Sequence, residues 1–253
     1  MYRHKSWSRV LAISLLSLVG CATPGPAPTL WKVSEVANFA TPNVNLRDNK
    51  THAVIGSVPS SLAKTITEVK DKIESAAGLQ GTEFFIASGD QPNAFSADTP
   101  SGRIVAINLA MLRMIGSNAD EYASILGHEF AHLALHHSSA REGRERARVV
   151  ASNVLGLALG VVGIPLGGTI ANVGTTAVSR TFSRDEEREA DSLGIQYMVK
   201  AGYDPQGAVK LWQKMTRNTE GGGVPFLATH PSGEERLRTL SEMARTSSNE
   251  TAH

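Results

Sequence analysis

The chain is short of cysteine, of net charge and of long apolar runs, and each shortage excludes something. Cys21 is its only cysteine, so an intrachain disulfide framework and a multi-cysteine metal site are both ruled out. Its 25 Lys and Arg nearly balance 24 Asp and Glu, for a formal net charge of +1. That argues against a nucleic-acid binder, which gathers a basic excess into a patch. No internal repeat is visible. The uncharged run at residues 10–20 falls short of the about 20 apolar residues a helix needs to cross a bilayer. What is present is ordinary globular material: 253 residues, 41% apolar and 19% charged. This is enough for one large domain and too apolar for general disorder.

Arg3, His4, Lys5 and Arg9 precede the uncharged run, and a basic start followed by a short apolar stretch reads as an export signal. The run ends in Leu18, Val19, Gly20 and Cys21, which resembles the lipobox of bacterial lipoproteins. The resemblance implies cleavage before Cys21 and acylation of that cysteine, so a lipid anchor holds the chain to an envelope membrane. Ala22 follows where an Asp would signal retention; under enterobacterial sorting this points to the outer membrane, with the domain facing the periplasm. Residues 23–28, Thr-Pro-Gly-Pro-Ala-Pro, read as a stiff, extended tether. The expected division is a signal peptide at 1–20, a tether and N-terminal segment at 21–58, and one domain at 59–253.

Residues 29–58 show weak periodicity and stay unassigned. Leu62, Ile66, Val69 and Ile73 recur at helical spacing between a serine cap and Gly78, predicting a helix over 61–77. Residues 83–87 and 103–107 are short β-rich runs, expected to be antiparallel neighbours across a turn-rich segment with Pro92, Asn93, Pro100 and Gly102. Residues 120–137 carry an apolar face of Tyr122, Ile125, Leu126, Phe130, Leu133 and Ala134. Ser183 with Glu186 forms a capping-box pattern that opens a helix to about Ala201, before Gly202. Asp204 and Pro205 open another to about Met215, and Ser232 with Glu235 a last one to about Ala244. The sum is an α+β domain, mainly α-helical, with a small sheet. Residues 149–179 hold no charge; they read either as buried helix and loop or as an apolar hairpin over a cleft or in a membrane surface.

His128, Glu129 and His132 form the strongest pattern. On a helix, positions i and i+4 share a face, so both imidazoles can reach one ion, with Glu129 beside them to polarise a water. A catalytic zinc takes three protein ligands and keeps one position open, so a third donor must come from elsewhere. The acidic run 185–191 is the best source. Glu187 and Asp191 share a face there, one to bind metal and one to orient a histidine; Glu186 and Glu189 compete for the third place. His136 and His137 follow the pattern and read as helix-surface or packing residues, and Trp31 and Trp212 as packing.

This constellation is similar to metallopeptidase family forty-eight, the HtpX-like zinc peptidases. The supporting matches are Glu187 and Asp191 within Glu-Arg-Glu-Ala-Asp-Ser-Leu-Gly, Asn93-Ala94-Phe95, Ala201-Gly202-Tyr203-Asp204-Pro205, and Thr229-His230-Pro231-Ser232 with Arg236. The similarity spans roughly residues 60–245 and is greatest to the periplasmic lipoprotein members of the BepA and LoiP type. It implies a gluzincin-type zincin domain and one Zn2+ per chain, held by His128, His132 and Glu187. It further implies Glu129 as general base and then acid, and Asp191 as support for the histidines. His230 falls where some members place a histidine that can block the water position, so it is a regulatory or transition-state candidate. Arg236 is a possible transition-state contact, or else a surface arginine.

The expected activity is zinc-dependent hydrolysis of peptide bonds in misfolded or unassembled envelope proteins. Polypeptide would bind as an extended strand along residues 103–107, near Asn93, Ala94 and Phe95. The alternative is a chaperone-like client-binding lipoprotein whose protease site is gated and mostly repressed. No nucleic-acid partner is expected, and another divalent metal is not excluded.

Overall fold

The computed structural model describes residues 28–137, 182–217, 225–230 and 234–250. The signal at 1–20, Cys21, the apolar stretch 149–179 and Ser232 lie outside the described residues.

A four-stranded sheet has the order β1-β4-β6-β5. It comprises β1 (Leu30–Lys32), β4 (Glu83–Ala87), β5 (Ala94–Thr99) and β6 (Gly102–Asn108). The two strands expected from the sequence are neighbours, but they run parallel, with Phe84 opposite Val105 and Ile86 opposite Ile107. The reason is β5, which hides in the turn-rich segment between them. The chain leaves β4, passes to the edge of the sheet as β5, turns at Pro100 and Ser101, and returns as β6 in the middle. β5 and β6 pair antiparallel from Ala94 with Ile107 to Thr99 with Gly102. Residues 104–107 are therefore paired on both sides and Arg103 pairs with Asp98, so this strand cannot offer an edge to a substrate; β5 can.

The unassigned segment 29–58 supplies β1, the single-turn helix α1 (Val33–Val36), and a two-stranded sheet of β2 (Asn43–Arg47) with β3 (Val54–Pro59). Trp31, Val33, Val44, Leu46 and Val58 are buried in the same core as the helices. β2 alternates exposed and buried residues, as a strand with one wet face should.

Helix α2 (Ser60–Ala76) buries Ala63, Ile66, Val69 and Ile73 along one face. Its N-cap is Pro59, with no side-chain cap bond; the serine expected there lies inside the first turn. Gly78 takes φ +68° just beyond the helix, the left-handed turn that ends many helices. Lys70 and Glu74 form a buried pair on α2, and Glu74 also accepts from the amide of Thr82 at 2.6 Å, tying the helix to the approach of β4. Helix α3 (Leu109–Ile115), which the sequence reading did not anticipate, is capped by Asn108, whose side chain accepts from the Met111 amide.

Helix α4 (Ala119–Ala134) starts at Asn118, whose side chain accepts from the amides of Asp120 and Glu121. Every residue from Glu121 to Leu133 is buried, as befits a helix enclosed on all sides. It packs against α2, against β5, and against α5 (Arg184–Lys200) and α6 (Gln206–Arg217). α5 opens with the expected capping box: Ser183 accepts from the Glu186 amide, and Glu186 accepts from the Ser183 amide. At α6, Asp204 accepts from the Gln206 amide at 2.9 Å. The short α7 (Pro225–Thr229) and the long α8 (Glu234–Glu250) complete the described helices. Mainly helical with small sheets, the domain is α+β, as read from the sequence. Among the described residues no helix is long and apolar enough to cross a membrane.

Candidate metal centre

Helices α4 and α5 cross at a point where neither has a side chain. A Cβ on Gly127 would lie 2.8 Å from the carbonyl oxygen of Gly194, and one on Gly194 would lie 2.9 Å from the amide nitrogen of His128. This approach brings the backbone of α5 against the turn of α4 that carries the histidines. Asp191 lies about one turn back along α5 from Gly194, and Glu187 one turn further. Both are buried.

His128 and His132 share a face of α4, with their Nε2 atoms 3.1 Å apart. Glu187 completes a triangle: Oε2 is 3.6 Å from Nε2 of His128 and Oε1 is 3.4 Å from Nε2 of His132. His230, directly after α7, adds a fourth group, its Nδ1 lying 2.8 Å from Oε1 of Glu187 and 3.1 Å from Nε2 of His128. One donor atom from each of these four residues lies within 4.8 Å of the others, and all four residues are buried. Imidazole nitrogen and carboxylate oxygen around one point are the donor set of a zinc-type ion. The cluster could hold such a metal.

A family model, peptidase family M48, matches residues 60–244. The chain belongs to peptidase family M48. Its match runs from the first turn of α2 into α8 and takes in the whole cluster. The chain is 32% identical over 162 residues to the "Beta-barrel assembly-enhancing protease" of Escherichia coli (strain K12), covering 61% of this chain and 32% of that protein. It is 29% identical over 181 residues to the "Mitochondrial metalloendopeptidase OMA1" of Schizosaccharomyces pombe, covering 70% and 51%. It is 25% identical over 192 residues to the "Metalloprotease LoiP" of Escherichia coli (strain K12), covering 74% and 73%. The matched region thus spans about a third of the first of these relatives. The enzyme class expected from the sequence, a metalloendopeptidase, is the one this M48 membership gives.

Around the M48 cluster, the remaining candidates take up separate places. Of the competing glutamates, Glu186 accepts from the Ser183 amide at 2.9 Å in the helix cap, and Glu189 faces His137 at 3.2 Å; Glu187 is the one in the cluster. Asp191 accepts from Nδ1 of His128 at 3.0 Å. Arg236, considered for contact with a reacting substrate, has its guanidinium on the acidic pair: Nε and Nη2 donate to Asp191, each at 2.6 Å, and Nη1 to Glu187. The same group sits 4.0 Å from the centre of the Trp212 ring, a cation–π contact that gives Trp212 more than a packing role. Glu129 is 1% exposed. Among the described residues its Oε1 has no hydrogen-bond partner, and it lies 3.5 Å from Nε2 of His230. Its backbone carbonyl accepts from Oγ of Ser96 on β5 at 3.0 Å.

Aromatic rings wall the centre. Phe182 stacks on His132 with centroids 3.9 Å apart, and Phe226 on His230 at 4.2 Å. Burial pushes the imidazole of His132 well below its usual pKa, with Glu187 opposing, which favours the neutral form a metal ligand needs. Burial also works against the charged form of His128, yet the Glu187 carboxylate and the bond to Asp191 raise it overall. For Glu187 burial favours the neutral acid, but His128 and His230 hold its carboxyl far below the usual carboxylate range. The residue that sequence reasoning undervalued is His137: buried, with Nδ1 2.9 Å from Nδ1 of His132. Helical spacing carries no signal for a partner five residues on.

Proposed function

We propose that the chain is a zinc-dependent endopeptidase of the bacterial cell envelope, of gluzincin-type zincin architecture, hydrolysing peptide bonds of misfolded or unassembled proteins. The observation that supports it most is the convergence of His128, His132 and Glu187 on one buried point, with a carboxylate oxygen of Glu129, unbonded among the described residues, beside them. Two imidazoles and one carboxylate are a donor set of catalytic zinc, with the fourth place left to water. When bound, the ion supplies Lewis-acid chemistry, acidifying a water and polarising a scissile carbonyl.

The remaining work falls to the chain's own side chains. Glu129 takes the water's proton at its free oxygen and returns it to the leaving amine. Asp191 fixes the ring of His128 with Nε2 toward the centre, and Arg236 holds Glu187 and Asp191 side by side against their mutual repulsion. Substrate adds as a strand along β5, the sheet edge beside α4; backbone pairing gives affinity with little demand on sequence, which suits unfolded clients. The lipobox ending at Cys21 supports an anchored protein: the signal at 1–20 is removed by cleavage before Cys21, that cysteine is acylated, and the domain faces the periplasm from the outer membrane.

The position of His230 favours a second, gated reading. Its Nδ1 lies inside the donor cluster, where it would take the place a water needs, leaving a client-binding lipoprotein with a repressed site. One experiment addresses both. Zinc content and casein cleavage are measured for the full-length protein, Glu129→Gln and His230→Ala. One zinc per chain throughout, with cleavage down about 10²–10⁴-fold in Glu129→Gln, is the expected result. Faster cleavage in His230→Ala would establish gating; absence of zinc from the wild type would overturn the peptidase reading.

A further inference from the structure

His137 has no place in the chemistry so far, yet it is buried and touches a proposed ligand. α4 ends at Ala134, and Leu135 caps it by donating to the Ala131 carbonyl at 2.9 Å. His136 then takes φ +54°, a left-handed conformation uncommon for a residue with a Cβ. Continued helix would carry His136, four residues after His132, along the ligand face. Instead His136 turns outward, its side chain 69% exposed, and the chain folds His137 back onto His132. The Nδ1 atoms of His132 and His137 lie 2.9 Å apart, and Nε2 of His137 lies 3.2 Å from Oε2 of Glu189 on α5.

Proton bookkeeping gives this chain of groups a direction. An ionised carboxylate only accepts, so Glu189 requires a proton on Nε2 of His137. With a single proton on the ring, placed on Nε2, Nδ1 of His137 accepts. The proton in the short gap then belongs to Nδ1 of His132, and the lone pair of His132 is left on Nε2, the atom that faces the cluster. Two Nδ1 protons could not share a gap of this length. Phe182, stacked on His132, restrains tilt of the ring, and His137 restrains its rotation in the plane.

Resting on the zinc reading above, we propose that His137 is a positioning residue: with Glu189 behind it, it selects the tautomer of His132 that presents Nε2 to the metal. His128 is served by a carboxylate, Asp191; His132 is served by a second imidazole.

The test uses full-length protein in detergent with zinc alone as probe, its affinity read by chelator competition. His137→Leu should weaken zinc binding about 10–100-fold. His137→Gln, whose amide oxygen can accept the same proton, should recover most of the loss at an unchanged metal-free melting temperature. Wild-type affinity in His137→Leu, or a glutamine variant as weak as the leucine one, overturns the proposal. Nitrogen-15 spectra of the zinc-loaded wild type, which need no variant, should show the Nδ1–H tautomer of His132 and the Nε2–H tautomer of His137. A proton on Nδ1 of His137 overturns it independently of folding. Failure of the wild type to bind zinc would remove the peptidase reading and this inference together, whereas zinc-loaded wild type with an unaffected leucine variant removes this inference alone.

Discussion

A carboxylate taken out of water must find donors, and two residues show how differently that is done. Asp191 is held by the fork of Arg236 and the ring of His128. Glu74, on α2, is held by Lys70 and the Thr82 amide. Burial pushes Glu74 toward the neutral acid, but these donors outweigh it and leave its pKa below the ordinary 4.5. A depressed folded-state pKa contributes stability that is full above the unfolded value and is lost as pH falls through the folded one. Glu74→Gln should therefore cost about 1–3 kcal/mol near neutral pH. Its melting-temperature deficit against wild type should shrink as pH drops below 4.5; a deficit independent of pH would show that the charge does not matter. Residue types and spacing made His128, Glu129, His132, Glu187 and Asp191 legible in the sequence. His137 was not, because its role depends on where α4 stops and on a left-handed residue before it.

At the scale of elements, the Gly127–Gly194 crossing sets the distance between the two halves of the centre. Ala at 194 would meet the His128 amide at 2.9 Å, backbone that cannot swing aside, so the helices must part. Gly194→Ala should cost about 1–3 kcal/mol in urea unfolding and weaken zinc binding as well, since Glu187 and Asp191 would be carried outward with α5. Loss of stability with zinc affinity intact would show that the centre is insulated from the crossing. Elements with local signals were read well: the capping box at Ser183 opens α5, and Asp204 opens α6. The parallel pairing of β4 and β6 was not legible, since it follows from a strand inserted at the edge, and β5 carries Ser96 and Asp98 between prolines. Residues 30–58 alternate too briefly to announce themselves, although Val44 and Leu46 are in the core.

For the whole molecule, the centre joins α4 and α5 to His230, beside α7, and through Arg236 to α8. An ion held there links these elements in the folded state and has no equivalent site in the unfolded chain. With zinc at about 1,000 times its dissociation constant, linkage contributes about 4 kcal/mol. Chelation should then lower the melting temperature by roughly 8–16 °C for a domain of this size, and stoichiometric zinc should restore it. A melting curve indifferent to chelator would mean that the helices hold one another without help.

The bond from Ser96 to the backbone of Glu129 has a consequence at the same scale. It clasps the sheet's edge to the helix at Glu129, the residue proposed to move the proton, so strand and helix cannot slide past each other there. On the proposed mechanism, a polypeptide lying along β5 would be indexed against Glu129 by the two-residue repeat of its own pleat. Cleavage positions would then be chosen as a ruler chooses them, by distance along the backbone, with side-chain identity left to vary.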